Sequence, residues 1–467
     1  MTDGAKKAPH RRACLVGAGS SGIAVVKALA DARIDFDCFE KSDRVGGNWV
    51  FGNKNGMSAA YEGLYINTSR DRMQYADYPM PKSYPDFPHH TQIATYFDDY
   101  VDHFGLRRHI TFETSVDHAE LFTAPGARPE ERREPAWRVQ LSNGEERTYD
   151  MLLVANGHHW DPLGPEPPPP GAFSGKQLHA HDYRSKQELR DKRVVVVGMG
   201  NSAMDIAVES SEVGKRTYLS ARRGVHVIPK YMFGKPLDQL FTTSLLPWKV
   251  RQRIGETLHK LAVGEMERYG LPKPDHRLGE AHPTISGRIL DRLGHGAITP
   301  KPVITRVDGE RVEFSDGSSV EADVIVWCTG YRVTFPFFDT TFIAARDNDL
   351  PLFFRVFHPQ HTQLAFIGLL QPLGAIMPLA EAQGKWVAKY LGGGYALPDA
   401  PEMNHAIEED RRAMFARYVP SKRHMMQVDF DDYLHDLTRE ISRGEKRAAK
   451  NLARSARLRK RTDSRRA

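Results

Sequence analysis

Ala13-Cys14-Leu15-Val16-Gly17-Ala18-Gly19-Ser20-Ser21-Gly22 decides how the rest of the chain is read. Four apolar residues predict a short buried strand, the glycine run a tight turn, and the apolar spacing of Ile23 to Ala32 a helix. In this grammar Gly17 permits the turn, Gly19 lets backbone N–H groups reach a pyrophosphate, and Gly22 lets the helix pack on the strand. The helix N-terminus adds partial positive charge. Asp35 to Glu40 predicts a second strand, and Glu40 stands at its end, where a carboxylate can accept both ribose hydroxyls of an adenosine.

The same grammar returns at Arg193 to Val197, Gly198-Met199-Gly200-Asn201-Ser202-Ala203 and a helical stretch to Ser210. Ala203 replaces the third glycine, which the looser form of the pattern allows. Its second strand, Thr217 to Ser220, ends not in an acid but in Ala221-Arg222-Arg223. A guanidinium there binds a 2′-phosphate that a carboxylate would repel, so the second site suits NADP; the alternative is a solvated charged turn. Two such units predict two doubly wound α/β domains. Asp161 to Pro170, with four consecutive prolines from Pro167, predicts a stiff linker between them, and Thr123 to Pro135 an exposed loop. Arg311–Phe314 and Val324–Trp327 read as a hairpin and a strand that rejoin the first sheet. The expected boundaries are a first dinucleotide-binding domain over 8–168 and 298–445, an NADP domain over 169–297, and a disordered basic tail over 446–467.

Composition narrows the function. The net charge is +6, but residues 446–466 hold ten Lys or Arg and one acid, Asp463, so the rest of the chain carries −3. A basic tail on a slightly acidic body argues against nucleic acid as partner. The three cysteines, Cys14, Cys38 and Cys328, form no C-x-x-C pair, which removes disulfide frameworks and zinc ribbons. His158 and His159 lack a spaced acid or cysteine to complete a metal site and read as lining the return to the linker. No signal peptide or membrane span is legible, so a cytoplasmic location is expected, and the sequence is compatible with a homodimer.

Further segments extend the pattern: Gly46-Gly47-Asn48-Trp49, Asn67-Thr68-Ser69, Tyr75-Ala76-Asp77-Tyr78-Pro79, and Phe173-x-Gly175-x-x-x-His179-x-x-x-Tyr183. His282-Pro283-Thr284, Cys328-Thr329-Gly330-Tyr331, Gln371-Pro372-Leu373-Gly374 and Lys422-Arg423-His424-x-x-Gln427-x-Asp429 follow in order. Together these resemble the flavin-containing monooxygenases over about residues 12–440. The resemblance implies FAD and NADP(H), with FAD contacts at Gly17, Gly19, Ser20, Gly22, Glu40, Lys41, Gly47, Asn48, Trp49, Asn67 and Thr68. It implies NADP contacts at Gly198, Gly200, Asn201, Ser202, Ser220, Arg222 and Arg223, and further cofactor contacts at Thr329, Gly330, Tyr331 and Gln371.

The implied reaction has NADPH reduce the flavin, O₂ add to form a C4a-hydroperoxide, and an amine nitrogen or sulfide sulfur take the terminal oxygen. Asn67 corresponds to the family's catalytic asparagine beside the flavin. His179 is expected to couple the domains rather than transfer protons. Cys328 reads as a small buried residue, and Trp49 either stacks on flavin or fills the core. Relatives that oxygenate ketones carry Trp in place of Tyr183, so Tyr183 points to N- or S-oxygenation. Baeyer–Villiger oxygenation and a non-oxygenating redox sensor are the alternatives. Mammalian-type relatives end in a hydrophobic anchor, which the basic tail replaces here.

Overall fold

The computed structural model describes residues 12–122, 136–240, 248–419 and 424–463, with the backbone alone for 424 and 458–463. Two five-stranded, wholly parallel sheets organise it. The first contains β1 (Ala13–Val16), β2 (Phe36–Phe39), β3 (Ile110–Thr111), β4 (Met151–Val154) and β10 (Leu364–Phe366), in the order β10-β4-β1-β2-β3. The second contains β5 (Lys176–His179), β6 (Arg193–Val197), β7 (Arg216–Ser220), β8 (Ile298–Lys301) and β9 (Val324–Trp327), in the order β5-β9-β6-β7-β8. In each sheet the strand that feeds the glycine turn lies at the centre. Such strands are covered on both faces, which is why they read as unbroken apolar runs.

The period-two alternation of a strand sorts those runs into separate cores. Ala13 and Leu15 enter the core formed with the helices α1 (Ser20–Asp31) and α3 (Met377–Leu391). Cys14 and Val16 enter the opposite core, beneath an antiparallel sheet of residues 116–122, 136–141 and 146–149. Likewise Val194 and Val196 face α2 (Asn201–Val213), whereas Val195 faces an antiparallel sheet that includes Ile304–Gly309 and Arg311–Phe314. Both parallel α/β units expected from the sequence are present. Each has helices on one face and an antiparallel sheet on the other.

Three expectations meet the structure differently. Val324–Trp327 pairs with Val194–Val197 and Lys176–His179, so it completes the second sheet instead of rejoining the first. Ile298–Lys301 pairs there too, with Thr217–Ser220. The return expected at 298 therefore comes after Gly330, because β6 needs a partner on each side to satisfy its backbone. The basic tail is not disordered through 463, since Phe430–Asp463 is one helix, α4. Arg447 explains its first part: Nε donates to the Ala396 carbonyl at 2.9 Å, and the guanidinium pairs with Glu440 one face along the helix. Ala448 is buried, and every residue from Ala449 to Arg457 is exposed. The loop expected over Thr123 to Pro135 lies outside the described residues, as do 464–467 and the motif residues Lys422 and Arg423.

The chain crosses between the units twice, and the crossings pair. Asp161–Pro162 runs antiparallel to Tyr331–Arg332, and the Leu163 N–H donates to the Gly330 carbonyl at 2.9 Å. No helix among the described residues is long and apolar enough to cross a membrane.

Candidate functional site

The first glycine turn is built by close contact. Gly17 has φ +96°, and a Cβ on Gly22 would lie 2.0 Å from the Gly17 carbonyl oxygen. Gly19 precedes α1 and offers no side-chain cap, which leaves the first N–H groups of that helix free for an anion. Glu40 is buried and accepts from Ala18 N–H at 2.7 Å and Ser42 N–H at 2.8 Å, one to each oxygen. Burial raises its carboxyl above the usual range, and the two donors oppose that rise. The Asn55 side chain also donates to it, and the carboxylate retains acceptor capacity for a ribose hydroxyl. Asn48 Oδ1 holds Ala59 N–H at 2.8 Å, which fixes the segment after Gly46-Gly47. This cradle fits the adenosine and pyrophosphate of FAD.

The second turn repeats the geometry with different side chains. Gly198 has φ +132°, and a Cβ there would lie 2.6 Å from the Cys328 carbonyl oxygen. Gly200 leaves the start of α2 uncapped. Asn201 Oδ1 accepts from Ile285 N–H at 2.8 Å, and Thr284 Oγ1 donates to the Met199 carbonyl at 2.6 Å. The His282-Pro283-Thr284 segment thus braces the turn, a role its sequence did not disclose. Arg223 is 3.8 Å from Asp275, whereas Arg222 is exposed at the cavity rim. A 2′-phosphate fits Arg222.

One cavity of about 1540 Å³ joins much of this together. Asn48, Trp49, Asn67 and Thr68 line it from the first unit; Gly198, Gly200, Asn201, Ser202, Ser220, Arg222 and Arg223 line it from the second. Thr329, Gly330, Tyr331 and Gln371 close it near the crossing. Its volume exceeds that of an ordinary single-ligand pocket, so a nucleotide and a substrate can share it. Gly17, Gly19, Ser20, Gly22, Glu40, Lys41 and Gly47 do not border this space. They form the separate first cradle, with Lys41 exposed beside it.

Asn67 stands on the cavity wall with Oδ1 buried and without a hydrogen-bond partner among the described residues. An orphaned amide oxygen is costly unless something arrives to meet it. The segment carrying it is clamped by the second unit. Tyr61 Oη donates to Asp205 at 2.7 Å, Lys230 Nζ to the Ile66 carbonyl at 3.0 Å, and Ser69 N–H to Asp238 Oδ2 at 2.6 Å. Thr68 Oγ1 reaches the Gly374 carbonyl at 3.3 Å. The contacts of Asp205, Lys230 and Asp238 with this segment were not legible from sequence, because no spacing rule links them to residues about 150 positions earlier.

The remaining calls sort by contact. His179 Nδ1 accepts from His181 N–H at 3.0 Å, its ring meets Tyr331 edge-on at 5.3 Å, and burial pushes its pKa down. It thus joins β5 to the return crossing as a neutral ring. His158 and His159 line the cavity, and His159 packs on Tyr331 at 5.4 Å. Burial pushes the Cys328 thiol well up, so it is no thiolate nucleophile. Trp49 borders the cavity and packs on the first core as well. Tyr183 lies away from the cavity, fully buried, with its hydroxyl on Glu209.

Comparison with known proteins agrees with this geometry. Residues 10–450 match the family described as flavin-binding monooxygenase-like. Flavin-containing monooxygenase 5 of Rattus norvegicus is 34% identical over 445 residues, covering 91% of this chain and 82% of its own length. Dimethylaniline monooxygenase [N-oxide-forming] 2 of Macaca mulatta is 31% identical over 457 residues, covering 92% and 82%. Among solved structures, S-allyl-L-cysteine S-oxygenase from Allium sativum superposes with a TM-score of 0.68 at 24% identity, covering 96% of this chain and 93% of its own. An open cyclohexanone monooxygenase gives 0.69 at 17%, covering 93% and 98%. At these identities the two structures speak for the fold alone.

Proposed function

Because the chain belongs to the flavin-binding monooxygenase-like family, we propose that it oxygenates soft nucleophiles, an amine nitrogen or a sulfide sulfur. Substrate, O₂, NADPH and a proton would give oxygenated substrate, water and NADP⁺. One observation carries the reading: the orphaned amide of Asn67 and the second glycine turn with Arg222 open into the same cavity. A nucleotide on that turn and a substrate beside Asn67 would therefore share one cavity. The relative named for N-oxide formation supports nitrogen as one acceptor.

FAD when bound, reduced by NADPH, supplies the activated oxygen. The chain's own residues do the rest. Gly17, Gly19, Ser20, Gly22 and Glu40 would hold the adenosine and pyrophosphate, with Lys41 and Gly47 beside them. Gly198, Gly200, Asn201, Ser202 and Ser220 would hold the nicotinamide nucleotide, with Arg222 on its 2′-phosphate. Asn67 would hydrogen-bond the reacting oxygen, while Trp49, Thr68, Tyr331 and Gln371 keep water out. By strand membership we take the NADP-binding unit to run from about 171 to 330, with the FAD-binding unit on either side. A cytoplasmic location belongs to the same reading, supported by three free thiols.

NADPH consumption should be followed against amines, thioethers and ketones, with product and hydrogen peroxide measured together. Amine or sulfide oxides matching NADPH consumed are expected. A ketone turned into its ester faster than any of them would overturn the assignment, as would peroxide alone with every substrate.

A further inference from the structure

The cavity wall holds five carboxylates among the described residues, and four of them have a cation. Glu166 is 3.7 Å from Arg332, Asp275 is 3.8 Å from Arg223, Asp429 is 2.7 Å from Arg417, and Asp431 is 3.3 Å from Arg72. Asp238 has none. Its Oδ2 accepts from the backbone N–H of Ser69 at 2.6 Å, and its Oδ1 is buried without any hydrogen-bond partner among the described residues. The basic wall residue nearest it in sequence, Lys230, spends its ammonium on the Ile66 carbonyl at 3.0 Å. Two residues before Ser69, the amide oxygen of Asn67 is orphaned in the same way.

An anionic oxygen shielded from water and lacking a donor is expensive to keep. One backbone N–H orients the carboxylate but does not neutralise it. The geometry points to Asp238 as a specificity-determining residue that takes an ammonium group of the substrate. An ammonium brings both the charge and the N–H donors that Oδ1 lacks, in a charge-assisted hydrogen bond. This inference rests on the proposed oxygenation of soft nucleophiles and names the class preferred: sulfides or amines that carry a second, protonated amine. The protonated nitrogen has no lone pair and cannot itself accept oxygen. Held at Asp238, it anchors the molecule while the neutral sulfur or second nitrogen faces Asn67. The competing account is that Asp238 only fixes Ser69.

The test uses holoenzyme with NADP⁺ bound and two sulfides of similar size, 2-(methylthio)ethylamine and 2-(methylthio)ethanol. Dissociation constants come from quenching of tryptophan fluorescence, since Trp49 and Trp248 line the cavity, and sulfoxide formation gives kcat and KM. The wild type should favour the ammonium compound about tenfold in both Kd and kcat/KM. In Asp238→Asn the amide oxygen still accepts from Ser69, so the anchor of that loop is retained while the charge is lost. The preference should then fall to near unity, and most of the change should appear in KM. Equal affinity of the wild type for both sulfides overturns the inference whether or not the variant folds, and so does a preference that survives in Asp238→Asn. Should the Kd preference behave as expected while no sulfoxide forms from either compound, Asp238 is the ammonium site and the proposed oxygenation is what fails.

Discussion

The two glycine turns share a backbone plan and differ in what the following strand delivers. After β2 the chain supplies Glu40, buried and held by two backbone N–H groups, an acceptor suited to ribose hydroxyls. After β7 it supplies Arg222, exposed at the rim, a donor suited to phosphate. The turns also differ in how tightly the helix sits. A methyl on Gly22 would overlap the Gly17 carbonyl at 2.0 Å, whereas at the equivalent place the second turn carries Ala203, whose methyl is fully buried. The same motif thus tolerates one extra carbon in one domain and none in the other.

That contrast is broken most severely at Gly22. Gly22→Ala should cost several kcal/mol and abolish flavin retention, because the added atom meets backbone that cannot move aside. Ala203→Gly should cost only about 1 kcal/mol, through helix entropy. Urea melts and flavin content of both proteins check the pair, and similar losses would show that the turns are packed alike.

Asn67→Leu should act next most strongly, on chemistry alone. Losing a hydrogen bond to a reacting oxygen in a water-poor site costs on the order of 100-fold. Flavin binding and reduction by NADPH should persist, since both cradles are untouched, while oxygenated sulfide falls and peroxide rises. Full coupling would remove Asn67 from the oxygen site; slow reduction would place it at the nicotinamide.

Arg222→Ala sharpens the electrostatic half of the comparison. An exposed charge-assisted contact is worth about 1.5 kcal/mol, so the NADPH KM should rise roughly tenfold while that for NADH stays put. An unchanged NADPH to NADH ratio would shift the role to Arg223, despite its distance of 3.8 Å to Asp275.

The last effect is on stability rather than on turnover and concerns His158, on the wall near the crossing. Burial lowers its pKa from 6.5 to about 4, so the folded protein keeps it neutral where the unfolded chain takes up a proton. The unfolded state binds more protons in that window, and stability is lost as pH falls from 6.5 toward 4. His158→Gln should flatten the decline in urea midpoint between pH 6.5 and 5. A parallel decline in both proteins would put the titration elsewhere.

Strand, turn and helix were legible at both glycine units because local rules govern them: apolar runs make strands, and φ near +100° demands glycine. The placement of Val324–Trp327 was not legible, since VIVW suits the centre of either parallel sheet equally well. Helix α4 was misjudged for a related reason. Its charge predicted a solvated chain, while Arg447 finds the Ala396 carbonyl and Glu440 only once the fold has formed.

By itself the sequence determined the two strand–turn–helix units, with Glu40 just after one second strand and Arg222 just after the other, since each lies within a short run where spacing dictates geometry. The tertiary structure decided what those runs enclose. Asp205, Lys230 and Asp238 reach back across about 150 residues to clamp residues 61–69, and whether a carboxylate ends up paired or orphaned depends on neighbours that chain order does not predict. Local motifs are written in backbone torsions and survive in one dimension. A cavity is a property of surfaces brought together, and it exists only after the two crossings have set one domain against the other.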